Sequence, residues 1–165
     1  MPIHNRIAAI PKPDGKGYVD FRGALVFQGP IIPVQIEIPE ALAEQLQKNG
    51  MPVPQPVLGV ALIDTGAGIS GVDTSVIEQL KVQPVGQVTV SGVTGSKLRN
   101  KYPARFTFPG TNIPHMDFGE LVEAEIANQQ VAGISMPLVA LIGRDILHHI
   151  VLIYNGPAGS FTIAC

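Results

Sequence analysis

The chain has 165 residues, about the length of one domain, and at that size folding buries roughly two thirds of the surface that the unfolded chain exposes. Gly (18) and Pro (15) stay below the share that marks low complexity, and 45% hydrophobic residues with a mean hydropathy of +0.27 exclude intrinsic disorder. Only 15% of the residues are charged and the formal net charge is −2, which creates no field to draw nucleic acid or anionic lipid and suggests that another chain covers some surface.

The single cysteine, Cys165, excludes an intrachain disulfide and a cysteine-based zinc site. The N-terminal residues lack a signal-peptide pattern and no apolar run approaches a membrane span, so the expectation is a cytoplasmic protein with no membrane partner. With no Trp, three Tyr and six Phe, a stacking platform for single-stranded nucleic acid is disfavoured.

Residues 1–17, punctuated by Pro11, Pro13, Gly15 and Gly17, read as a flexible leading segment, and one domain is expected over 18–165. Val19, Phe21 and Leu25 begin an apolar series that Gly29-Pro30 interrupts, and Val34 to Ile38 alternate, which fits two strands in a hairpin. Pro39-Glu40, Leu42, Leu46, Lys48 and the stop Asn49-Gly50 predict a short helix. Pro52, Pro54 and Pro56 impose an extended approach to the apolar run Val57–Ile63, a buried strand that ends on Asp64. Asp73, or Ser75 with Glu78 three residues on, caps a helix through Leu80.

Positions 86–108 predict a long hairpin with a glycine-rich tip, Leu98, Tyr102, Ala104, Phe106 and Phe108 on one face and Lys97, Arg99, Lys101 and Arg105 on a solvated one. Val122, Ala124 and Ile126 alternate with Glu123 and Glu125, read as solvent-facing, and Leu138–Ile142 is a second unbroken apolar run. Arg144 to His149 suit a turn or two of helix, on which His148 and His149 would point apart and make no metal pair. Ile150–Tyr154 and Ser160–Ala164 pair as strands. The class is all-β with two or three short helices.

A carboxylate at the mouth of a buried strand must be paired, hydrogen-bonded or protonated, which singles out Asp64. Thr65 offers a hydroxyl and Gly66 a close main-chain approach. Taken alone, Asp64-Thr65-Gly66 also fits an ordinary Asx-turn. Gly66-Ala67-Gly68-Ile69-Ser70-Gly71 is in addition a literal Gly-x-Gly-x-x-Gly. A dinucleotide turn, however, requires an acid about 20 residues on, and no Asp or Glu stands between Glu78 and Asp117. Nucleotide binding is the lesser alternative.

Two further features follow in order: the glycine-tipped hairpin and Leu141-Ile142-Gly143-Arg144-Asp145. Together with Ala61-Leu62-Ile63-Asp64-Thr65-Gly66-Ala67 they resemble the retropepsins, the retroviral-type aspartic proteases. The resemblance implies a closed acid-protease barrel with one half-site per chain, hence a homodimer, a peptide or protein substrate, and no cofactor or metal. It casts Asp64 as the catalytic acid, Thr65 as a grip across the dimer axis, Gly66 and Ala67 as the lining against substrate backbone, and Ser91, Gly92, Val93, Thr94 and Gly95 as the flap. Leu141, Ile142, Gly143 and Arg144 would be the second signature. Aspartic proteases that work as monomers carry two such loops in about twice this length, whereas Asp-Thr-Gly occurs here once. The chain departs from viral members at Gly68, where they commonly have an acid that pairs with the signature Arg, so Arg144 needs another partner, for which Asp73 is a candidate. A catalytically silent peptide-binding dimer of the same fold is the alternative from another class.

Overall fold

The computed structural model describes residues 2–12, 14–18, 21–92, 95–126, 131 and 133–165. In chain order the elements are β1 (Ile3–Ile7), α1 (Phe21–Gln28), β2 (Ile31–Glu37), α2 (Glu40–Lys48), β3 (Val57–Ile63), β4 (Gly71–Asp73), α3 (Thr74–Leu80), β5 (Gly86–Gly92), β6 (Gly95–Thr107), β7 (Met116–Ala124), β8 (Leu138–Ile142), α4 (Arg144–Leu147), β9 (Val151–Asn155) and β10 (Ser160–Ala164). The protein is mostly β, as its sequence leads one to expect. Among the described residues no helix is long and apolar enough to cross a membrane.

Seven strands form the larger sheet in the order β2-β3-β8-β4-β7-β6-β5. A further pairing of β2 with β6, from Gln35↔Thr107 to Glu37↔Arg105, brings the order back on itself and makes the sheet ring-like. The two unbroken apolar runs are strands of this ring: Val60, Ala61 and Ile63 of β3, and Leu138, Val139, Ala140 and Ile142 of β8, are all buried. Strands covered on both faces lose the polar alternation that a one-sided strand would show. Phe106 packs edge to face on Phe118, ring centroids 5.3 Å apart, and ties β6 to β7 inside the core.

The sheet order sets the path of the chain after Asp64. β3 runs parallel to β8, and β4 pairs antiparallel on the other side of β8. The link from Asp64 to Ser70 joins β3 to β4, so it steps across the end of β8 at Gly143. β5 and β6 then leave the ring as a hairpin, paired from Gly86↔Lys101 to Gly92↔Gly95. Val93 and Thr94, placed by the sequence at its tip, lie outside the described residues.

Several expectations need correction. Regular structure begins well before Tyr18: β1 pairs with β10 from Ile3↔Ala164 to Ile7↔Ser160, and β9 completes a second sheet of order β1-β10-β9. The stretch 21–28 is a helix and not the first strand of a hairpin. Ala24, Leu25 and Gln28 are buried while Val26 and Phe27 are about three quarters exposed, which is helical spacing, and the Gln28 amide donates to Ala9 O at 2.9 Å. Val19, placed by the sequence in this series, lies outside the described residues. With α1 and the single turn α4, the α-helices number four among the described residues, and a 3-10 turn spans Gly156–Ala158.

On β6, Leu98 is 63% exposed although Tyr102, Ala104, Phe106 and Phe108 are buried. The pairing shifts register between Tyr102 and Ala104, and Leu98 lies on the hairpin arm beyond the core. Three of the four cations opposite are paired rather than merely solvated, Arg99 with Glu125, Lys101 with Glu120, and Arg105 with both Asp117 and Glu40, while Lys97 is exposed. The hydrogen bond from Arg105 holds the Asp117 carboxyl below the usual carboxylate range. His148 and His149 do not point apart: α4 ends at Leu147, and their rings lie against each other, tilted by 41°, with centroids 3.6 Å apart.

Candidate active site

Asp64 stands at the end of β3, where its own N–H donates to Ile142 O at 2.9 Å and carries the β3–β8 ladder one step further. Its half-buried carboxylate turns back on the loop: Oδ1 accepts from Gly66 N at 2.9 Å and from Ala67 N at 3.3 Å. These two N–H groups fix the side chain in place. Oδ2 makes no hydrogen bond among the described residues and is left for an incoming group. Thr65 and Gly66 are exposed beside it.

The second signature clamps this loop from behind. Arg144 N donates to Ala67 O at 2.9 Å, and the Arg144 guanidinium, through Nη1, donates to Thr65 O at 2.8 Å and Gly66 O at 2.9 Å. The sequence offered Asp73 as a partner for Arg144; the bonds go to the loop carbonyls instead. Asp73 caps α3, its Oδ1 accepting from Ser75 N at 2.9 Å and its Oδ2 from Ile126 N at 2.8 Å. That also decides between Asp73 and Ser75 as the cap.

One residue of the clamp, Ser70, escapes the sequence reading, and it bonds Asp145 of the second signature. Ser70 is fully buried; its Oγ accepts from Gly143 N at 2.8 Å and donates to Asp145 Oδ1 at 2.6 Å, while its N–H donates to Asp145 Oδ2 at 2.8 Å. A buried hydroxyl with both roles satisfied locks the crossing of loop and strand. The only sequence signal is a small polar residue between apolar neighbours, which is too common to single out. The glycine turn also lacks the setting that phosphate binding needs, because Gly71 opens β4 and the next helix starts only at Thr74, with Asp73 already bonded to its first turn.

Beside the loop lies a cleft of about 420 Å³. Gly66, Ala67 and Gly68 line it on one side, Thr89, Val90 and Ser91 of the hairpin arm on another, and Leu141 of the second signature contributes as well. The structure thus brings Gly66, Ala67, Ser91 and Leu141 together around one space. Ile142 and Gly143 instead lie buried behind it, and Gly92 and Gly95 pair at the end of the arm. Arg99, Glu123 and Glu125 also line the cleft; Glu125 is exposed as expected, whereas Glu123 is half-buried. A larger apolar groove of about 670 Å³ lies elsewhere, between α2 and the end of α3, and Lys81 is its one ionisable lining residue. Among the described residues no three His, Cys, Asp or Glu side chains could hold a metal ion. No family model matches the sequence, and no curated protein matches it significantly.

Gly68 gives a direct test of the clamp. A Cβ placed there would lie 3.5 Å from Arg144 Nη2, within reach of an ion pair for a carboxylate one bond longer. Gly68→Asp is expected to fold and to gain about 0.5 kcal/mol from this exposed pair, read as a melting point raised by about 1–2 °C over Gly68→Asn. A melting point below that of the Asn variant would count against the placement of Arg144.

Proposed function

We propose that the chain is an aspartic endopeptidase of retropepsin type, active as a homodimer in which each copy supplies one Asp64. The observation that carries this reading is the Asp64 carboxylate itself: Oδ1 held by loop N–H groups, Oδ2 uncommitted, on a clamped loop beside a cleft of about 420 Å³ that the hairpin arm lines. One such loop per chain supports assembly of the site from two copies. The exposed Thr65 and Gly66 agree with that, as does the apolar outer face of the terminal sheet, where Ile3, Ile7, Val151 and Ile153 are each more than half exposed.

In the proposed reaction two Asp64 carboxyls about 3 Å apart share one proton, because like charges at that distance do not both ionise. The ionised member takes a proton from water as the water attacks the peptide carbonyl, and the protonated member donates a hydrogen bond to the developing oxyanion. The pair titrates as a unit, so its apparent pKa values belong to the dyad. The hairpin arm would pair main chain with an extended peptide, affinity coming from backbone bonds and selectivity from alternate side-chain pockets. A silent peptide-binding dimer would use the same cleft; the uncommitted Oδ2 favours catalysis.

The test is a cleavage profile of a diverse peptide library between about pH 3 and 8, the span in which carboxylates and histidines titrate, with new termini read by mass spectrometry. Cuts that vanish with the Asp64 carboxyl support the protease; none at any pH from protein that is dimeric leaves the silent binder. Thr65→Ala is expected to weaken the dimer about tenfold, as loss of a hydrogen bond at each of two symmetric positions would. An unchanged dissociation constant in sedimentation would remove the threonine grip.

A further inference from the structure

The lining of the cleft is unevenly charged. Ile69, Val90, Val122 and Leu141 give it an apolar wall, and its ionisable residues are Arg99, Glu123 and Glu125. Arg99 Nη1 donates to Glu125 Oε1 at 2.7 Å, and with a side chain only 20% exposed this guanidinium is already compensated where it sits. Glu123 is different. Its oxygens accept from Asn100 N at 3.0 Å, Asn100 Nδ2 at 3.3 Å and, at a longer 3.4 Å, the Tyr102 hydroxyl. All three donors are neutral, so they fix the carboxylate without cancelling its charge, and among the described residues no cation comes within ion-pair distance of it. Lys101 pairs with Glu120, and Lys97, two residues nearer the hairpin tip than Arg99, does not line the cleft.

We infer that the cleft selects peptides with a basic side chain, and that Glu123 is the residue that reads it. This rests on the protease reading above and adds its substrate class. A bound peptide expels water from the cleft, which strengthens the attraction between an uncompensated carboxylate and a cation and disfavours an acidic residue at the same place. The aliphatic stem of a lysine or arginine would lie along the apolar wall while its head meets Glu123. Alternation alone had placed Glu123 and Glu125 on one face of a strand; the folded hairpin turns that face toward the cleft.

The experiment uses peptides that differ only in Lys, norleucine or Glu at one site, the site moved along the sequence. Each is assayed for cleavage by the wild-type protein and by Glu123→Gln, and for binding to Asp64→Asn by fluorescence anisotropy. At one site the wild-type kcat/KM for Lys should exceed that for norleucine by about tenfold, Glu should be the poorest, and the Lys preference should shrink at about 0.5 M salt. In Glu123→Gln the ratio should fall toward one. Glu125→Gln provides a second variant should Glu123→Gln fold poorly: freeing Arg99 should move the preference toward acidic peptides. Cleavage or binding without a charge preference, or a Lys preference that survives Glu123→Gln, overturns this inference and leaves the protease reading intact. No cleavage by the wild type together with no binding to Asp64→Asn overturns both.

Discussion

Asp64→Asn should reduce peptide hydrolysis on the order of 10³-fold or more while leaving the fold in place and the dimer at least as tight. The amide keeps the shape of the carboxyl, and its oxygen accepts the same bonds from Gly66 N and Ala67 N that Oδ1 accepts now. What disappears is the proposed proton chemistry: an amide neither takes a proton from the attacking water nor shares one with its counterpart, and in the proposed homodimer both members are lost at once. The dimer should not suffer, because the substitution also removes the repulsion that two neighbouring carboxyls suffer when both tend to ionise. Turnover and sedimentation of the two proteins over the same pH range separate these effects. Equal turnover would end the dyad mechanism, whereas turnover lost together with the dimer would show that the substitution had damaged the loop rather than the chemistry.

The part of the site carried by the chain's own continuity is legible in sequence. Asp64 stands out because an acid at the end of an unbroken apolar strand has few explanations, and Asp64 with Gly143-Arg144 in order restricts them further. Asp73 as a cap, the 86–108 hairpin and the β9–β10 pair follow from local rules of the same kind, and each takes its place in the structure. What is not legible depends on contacts across the chain. α1 reads as strand because Val26 and Phe27 are apolar yet exposed, so the burial that marks its helical face, Ala24, Leu25 and Gln28, is visible only once β10 and the segment after β1 pack on it. β1 has no cue of its own, since its pairing with β10 joins residues at opposite ends of the chain. Ser70 and Asp145 are 75 positions apart and meet only because the loop crosses β8. Glu123 reaches the cleft for the same reason: β7 pairs with both β4 and β6, which sets it between the Asp64 loop and the hairpin arm.

That crossing underlies the second large effect. Gly143→Ala should lower stability by about 3 kcal/mol, a fall of about 6–12 °C in melting temperature for a chain of this size. The backbone at Gly143, with φ −90° and ψ −176°, suits any residue, so no conformational strain is involved. The obstacle is space: a Cβ there would lie 2.8 Å from Ile69 C, 2.9 Å from Ile69 O and 3.0 Å from Ser70 N. All three are backbone atoms of the crossing loop, which cannot turn aside as a flexible side chain would. Making room moves the loop away from β8 and loosens the Gly143 N to Ser70 Oγ bond and, through Ser70, its two bonds to Asp145. Gly119→Ala is the matched control, because nothing lies within 4 Å of a Cβ there, and it should change stability by no more than about 0.5 kcal/mol. If Gly143→Ala melts within a degree of the wild type, the loop does not press on β8 as closely as these distances state. If it melts early and the surviving folded fraction also turns over slowly, the crossing both holds the fold and aims the Asp64 carboxyl, since Gly143 leads directly from β8 into the Arg144 clamp on the Asp64 loop.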